Sequence, residues 1–274
     1  MSAIASTTPF DFSIFEAEKE ILNTYDDVVS VRQKSKTLRK FGRNSDVDTG
    51  ARHTIMQLQG SETEETYAST NSIDSIVSSD ENFTGTVRVE GHTIAAGILT
   101  FVAFPVTLNG RTPVSLPTSL ARANRIKGVA GMFGALGTDE TIYVYESGGT
   151  VTNGVPQTAS DVHVVLEESY GRSQKAATAI SNSDYWIVTD VYGGVLRKQS
   201  ALVDIEVRII DARDTTFETI FEFPVDSDGD PFQPIEFKTP IIIPKNHDVI
   251  MTATTSADNA EVISGMGGRL ALII

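Results

Sequence analysis

The chain has 274 residues, 40% of them hydrophobic and 21% charged, which are the proportions of a folded globular protein and not of a disordered one. Its formal net charge of −14, from 36 acidic against 22 basic residues, opposes non-specific contact with nucleic acid or an anionic membrane. It has no cysteine, so disulfides and zinc-thiolate sites are excluded as staples of the fold.

The first residues, MSAIASTTPFDF, lack the basic and apolar regions of a signal peptide, and no apolar run approaches the roughly 18 residues of a spanning helix. The expectation is a soluble chain assembled in a cytoplasm, with no membrane partner. Phe10, Phe12, Ile14 and Phe15 lead into a segment where Ile14, Phe15, Glu18, Ile21 and Leu22 share helical spacing, with Ser13 or Asp11 as N-cap. A helix this short is unstable alone, so its apolar face must dock on something.

The run RQKSKTLRKFGR follows, with Arg32, Lys34, Lys36, Arg39, Lys40 and Arg43 and no acid. Three readings stay open: a solvated linker, an arm reaching an acidic surface on a neighbouring protein, or a contact to packaged DNA. Residues 1–52 are thus expected to form an N-terminal arm, and Phe10, Phe12, Ile14, Phe15, Ile21 and Leu22 with the six basic residues are its candidate interface.

From residue 53 the texture becomes β-rich. Thr86 to Glu90 alternates, Ile142 to Glu146, Val162 to Glu167 and Tyr185 to Tyr192 are β-branched or aromatic runs, and Val203, Ile205, Val207 and Ile209 alternate with Asp204, Glu206 and Arg208. Thr216 to Phe223, Ile235 to Lys238, Asp248 to Thr254 and Arg269 to Ile274 are further strands, with a turn at Lys245, Asn246, His247 and Asp248. A short helix or long loop is expected around Leu116 to Ile126, and flexible turns around Gly131, Gly134 and Gly137. Many short strands between turn signals indicate an all-β fold, a β-sandwich or jelly-roll-like body over 53–274, either undivided or split into 53–180 and 181–274.

The chemistry-bearing motifs are few. The sequence has no G-x-S-x-G elbow, P-loop, dinucleotide fingerprint or H-E-x-x-H, and His53, His92, His163 and His247 are scattered, which favours structural or surface roles for each. Asp226, Asp228 and Asp230 in DSDGDPF alternate as Ca²⁺ ligands do. An EF-hand is excluded because Pro231 stands where the turn needs Gly and Phe237 where a bidentate Glu belongs. A different Ca²⁺ site and a plain acidic hairpin turn both remain, the turn being the default. Trp186 in DYWIVTD is expected in the core. No cofactor and no enzymatic activity are expected.

Several segments, among them TLRKFGRNSDVDTG, TFVAFPVTLNGRTPVSLPTSLARA, ISNSDYWIVTDVYGGVL and PIIIPKNHDVIMTATTSADNAEVISGMGGRLALII, resemble virion structural proteins of tailed bacteriophages. The closing strands resemble capsid cement and decoration proteins of the β-sandwich type. The resemblance implies a non-enzymatic virion component, a homotrimer gripping the major capsid protein or other virion proteins and stabilising the head. The alternative it implies is a tail, collar or head-fibre component that recognises host carbohydrate.

Overall fold

The computed structural model describes residues 36–57, 65, 67, 69–128, 140–168, 170–196, 200–214 and 216–272. Thr37–Ile274 forms one compact unit, divided from the residues before it. The strands in chain order begin with β1 (Lys36–Val47), β2 (His53–Thr54), β3 (Ile73–Ser78), β4 (Thr86–Ala95), β5 (Ile98–Thr107) and β6 (Val114–Leu120). They continue with β7 (Arg122–Gly128), β8 (Thr141–Glu146), β9 (Val151–Thr152), β10 (Val155–Pro156), β11 (Val162–Glu167) and β12 (Ala177–Ala179). The last are β13 (Asp184–Val195), β14 (Leu202–Asp211), β15 (Glu218–Asp226), β16 (Phe232–Ile243), β17 (His247–Thr255) and β18 (Ala260–Leu272). Among the described residues the protein is all-β, with one 3-10 turn at Ala159–Asp161 and no α-helix.

Two sandwiches result. The first is built from a continuous stretch: a sheet in the order β11-β8-β3-β6 faces a sheet in the order β5-β4-β7. Ile76, Ile142, Val144, Val164 and Leu166 from one sheet meet Val87, Val89, Val106 and Ile126 from the other in a single apolar core. The second sandwich pairs β1-β18-β13-β16 with β12-β17-β14-β15, and β2 adds to β17. Its core joins Trp186, Val188, Val191, Val262 and Met266 to Val203, Ile205, Val207, Phe223, Met251 and Ala253. Each fully buried side chain of this size contributes roughly 1.5–3 kcal/mol, and Trp186 is the largest of them. The chain therefore starts the second sandwich, leaves to complete the first, and returns.

Several expectations are corrected by this topology. The arm does not extend to residue 52, because β1 is an edge strand of the second sandwich and the unit boundary falls between Lys36 and Thr37. A division at 180 is also misplaced, since β1, β2 and β12 all belong with the C-terminal strands. Residues 116–126 form no helix or long loop: Leu116 and Leu120 point into the first core from β6, Ala123 and Ile126 from β7. Pro117 is tolerated because β6 lies at a sheet edge. The helix expected near residues 14–22 and the glycines at 131, 134 and 137 lie outside the described residues.

Candidate functional site

β1 carries the part of the basic run that is described. Lys36 and Arg39 are exposed, as an interface would require. Lys40 is only 4% exposed, and its Nζ donates to the Asn124 carbonyl oxygen at 3.2 Å. Burial, reinforced by the charges of Arg125 and Lys175, holds its pKa well below the ordinary lysine range. Arg43 pairs with Glu261 at 2.5 Å and donates to the Tyr170 hydroxyl at 2.7 Å. Lys40 and Arg43, expected to grip a partner, thus serve this chain's own fold. The strand passes so close to Ile55 that a Cβ at Gly42 would collide with the Ile55 carbonyl oxygen, which explains the glycine inside RKFGR. Phe10, Phe12, Ile14, Phe15, Ile21, Leu22, Arg32 and Lys34 lie outside the described residues.

The three aspartates make the hydrogen bonds of a turn. Asp226 accepts the Asp228 N–H at 3.0 Å, Asp230 accepts the Phe232 N–H at 3.3 Å, and Asp228 accepts the Ser200 hydroxyl. Among the described residues no group of three His, Asp or Glu is placed to hold a metal ion.

The most concentrated chemistry is a buried polar seam where the two sandwiches meet. Arg122 at the start of β7 reaches Asp248 on β17, its Nε lying 2.9 Å from both carboxylate oxygens and its Nη2 2.9 Å from Oδ2. The side chains are 4% and 0% exposed. Burial raises the Asp248 carboxyl to about 6 against the opposing pull of Arg122. The guanidinium also donates to the Ala121 carbonyl and lies 4.4 Å from the centre of the Tyr67 ring. Burial, with the charges of Glu65 and Asp248, pushes the Tyr67 hydroxyl well above its usual range.

Beside this pair, Lys175 Nζ donates to Glu65 Oε1 at 2.5 Å and to the carbonyls of His163 and Ala123 at 3.0 and 3.1 Å. Burial works to raise the Glu65 carboxyl, yet the Lys175 charge and His163 outweigh it and hold it low. His163 stands between carboxylates, 3.6 Å from Glu65 and 3.2 Å from Glu146. His92 on β4 accepts from Asn124 Nδ2 at its Nδ1, 2.8 Å away, which leaves the proton of the neutral ring on Nε2, 3.1 Å from the Ser181 hydroxyl. Burial, then the charges of Lys40 and Arg122, lowers the pKa of His92 to about 3.

An apolar rim of Ile94, Leu99, Ala121, Ala179 and Ala212 flanks the seam. At its edge Asn246, with φ of +62°, receives the Leu99 N–H on Oδ1 at 2.7 Å and donates to the Gly97 carbonyl at 2.5 Å. The turn between β16 and β17 is thereby tied to the hairpin of β4 and β5. Each seam cation faces a carboxylate or a carbonyl within the chain, so what this arrangement does is hold one sandwich in a defined orientation on the other. The sequence marks His92 and His163 only as isolated histidines and Arg122 only as part of an irregular segment, and neither signal points to a seam.

Exposed apolar groups collect elsewhere, at one end of the second sandwich, where Leu196, Leu202 and Phe232 are about half exposed and Phe232 packs 5.8 Å from the Tyr192 ring.

The fold class is thus a pair of fused antiparallel β-sandwiches. No family model and none of the curated proteins matches the chain. Among solved structures it is similar to VP17, a capsid protein of bacteriophage P23-77, at 12% identity over 88% of this chain and 99% of that one, with a TM-score of 0.18. A score of that size does not establish a shared fold.

Proposed function

We propose that this chain is a non-enzymatic structural protein of a tailed-phage virion, acting on the head as a cement or decoration protein that assembles with itself and with the major capsid protein. The observation that carries the reading is the seam. Two sandwiches of one chain are locked together by buried ion pairs whose charged groups face each other, which suits a body that serves as a fixed building block. The sequence segments that resemble virion proteins supply the address. Fold by itself does not carry function.

In this reading the body is a rigid block and residues 1–35, with Phe10 to Leu22, Arg32 and Lys34, reach a neighbour. Many repeated weak contacts then stiffen a shell without any single tight site. The test is capture of the purified full-length chain on empty phage heads, followed by cryo-electron microscopy and a copy count per particle. Copies in the hundreds, lost when residues 1–35 are deleted, are expected. A handful of copies at one vertex, or glycan-array binding without head capture, would replace it with the tail or fibre reading.

A further inference from the structure

We propose that the outer face of β4 and β7, joined by Arg39 and Arg172, is a self-association surface that takes the acidic turn at residues 226–230 of a second copy of this chain. The inference rests on the assembling role proposed above and names its interface. Val87, Val89 and Ile126 point into the first core, so the alternation of β4 and β7 turns Arg88, Glu90, Arg125 and Lys127 outward. Register then places like charges side by side. Arg88 is directly opposite Lys127, and Lys127 is directly opposite Arg172, giving a row of cations across β4, β7 and the bridging segment at Arg172.

Directly opposed like charges are destabilising, and the chain's net charge is −14. A fold that nonetheless gathers cations here needs an anion to answer them. Among the described residues Glu90 alone pairs with this row, lying 2.8 Å from Lys127, 3.3 Å from Arg88 and 3.7 Å from Arg125. The row continues beyond its reach. Arg172 stacks on the Phe41 ring at 4.3 Å, and Arg125 donates to the Arg39 carbonyl, which brings the exposed Arg39 alongside. No carboxylate among the described residues pairs with Arg39 or Arg172, and the Arg88 side chain is 49% exposed.

The occupant follows from charge and spacing. Adjacent strands are about 4.8 Å apart, so the row of Arg88, Lys127 and Arg172 spans about 10 Å. Asp226, Asp228 and Asp230 are all exposed on alternate residues of one turn, with only backbone N–H groups and the Ser200 hydroxyl as partners among the described residues. Three exposed carboxylates within five residues oppose three cations in sign and number. The chain's own acidic turn supplies the complementary charge, and opposite local fields on two surfaces of one chain steer copies together. Because face and turn are different surfaces, the contact is head to tail and closes into a ring when the rotation allows.

Sedimentation velocity of the full-length chain at low and raised salt tests it, with thermal unfolding of every variant as a check on folding. Self-association that weakens with salt is expected, since exposed pairs are screened. The variants R88E/R172E and D226K/D228K/D230K should each weaken it by about tenfold or more, and one chain carrying all five changes should recover it. A wild-type monomer, single-surface variants that associate normally, or a folded five-change chain that stays apart would overturn the proposal. So would heparin binding lost in R88E/R172E with self-association unchanged. Head capture that persists in a chain without self-association sinks this inference alone, whereas intact self-association without head capture sinks the virion reading alone.

Discussion

Arg122 and Lys127 lie on the same strand, and their environments differ in what answers the charge. In the seam, Arg122, Lys175 and Lys40 are buried, and each meets a carboxylate or carbonyl supplied by a distant part of the chain. On the outer face, Arg88, Lys127 and Arg172 stand in a row with Glu90 as the paired acid among the described residues. Burying a charge is tolerated only when it is paired, so the seam had to be completed within the chain. The outer face is wetted and under no such compulsion. One acidic protein thus holds cations in two settings, buried and paired between its halves and aligned on its surface.

The largest test of the seam is removal of one partner. Asp248→Ala leaves the Arg122 guanidinium buried without its counter-ion, and a loss of about 3–5 kcal/mol is expected in denaturant unfolding near neutral pH. The double variant Arg122→Met with Asp248→Leu should cost less than either single change, because no orphaned charge remains. If the double cost equals the sum of the singles, the two residues do not act as a pair and the contrast with the outer face collapses.

The second test is pH. His92 has a folded pKa of about 3 against an ordinary 6.5, so the unfolded chain takes up its proton first as the pH falls. The stability tied to a neutral His92 is present above pH 6.5 and is lost progressively down to about pH 3. Asp248 runs the other way: its folded pKa of about 6 lies above the ordinary 3.8, so protonation favours the folded state between those values. The two trends oppose each other between pH 6 and 4. Replacing His92 by Gln removes one of them, so the variant should gain on the wild type by about 1.4 kcal/mol per pH unit below 6.5. Parallel stability–pH curves for the two proteins would show that His92 is not held neutral by the seam.

Asn246→Ala is expected to cost about 1–3 kcal/mol, since it puts a Cβ-bearing residue without local side-chain hydrogen bonds at a left-handed φ and leaves the Leu99 N–H unanswered. Hydrogen exchange at Leu99 should report the loss. The smallest effect belongs to the outer face. Arg88→Gln should change unfolding free energy by no more than about 0.5 kcal/mol, because its pairing to Glu90 is exposed and its neighbour Lys127 repels it. A cost comparable to that of Asp248→Ala would make the face structural and erase the distinction.

Much of the sheet content was readable along the chain. β8, β11, β14 and β17 sit where β-branched runs were expected, and the turn at Lys245 and Asn246 separates β16 from β17. β1 was not readable, because Lys40 and Arg43 look like solvated charges in a basic run, and the Asn124 carbonyl and Glu261 that accept them are far along the chain. β6 and β7 were obscured by Pro117, which the sheet edge tolerates, and by Arg122 and Asn124, whose polar groups are answered by Asp248 of the second sandwich and by His92 on β4. The seam had no local signature. Arg122 and Asp248 are separated by 126 positions, and nothing in the residues around either marks the other.

What the sequence by itself determined is the all-β class and most strand positions, because alternation and β-branching act through nearest neighbours on one pleated surface. The tertiary structure alone decided that the first sandwich is inserted into the second, which cations are buried and paired, and which are aligned in a row on the surface. Those outcomes depend on which strands become neighbours, and strand pairing across a hundred residues is settled by the joint packing of both cores and not by any one segment.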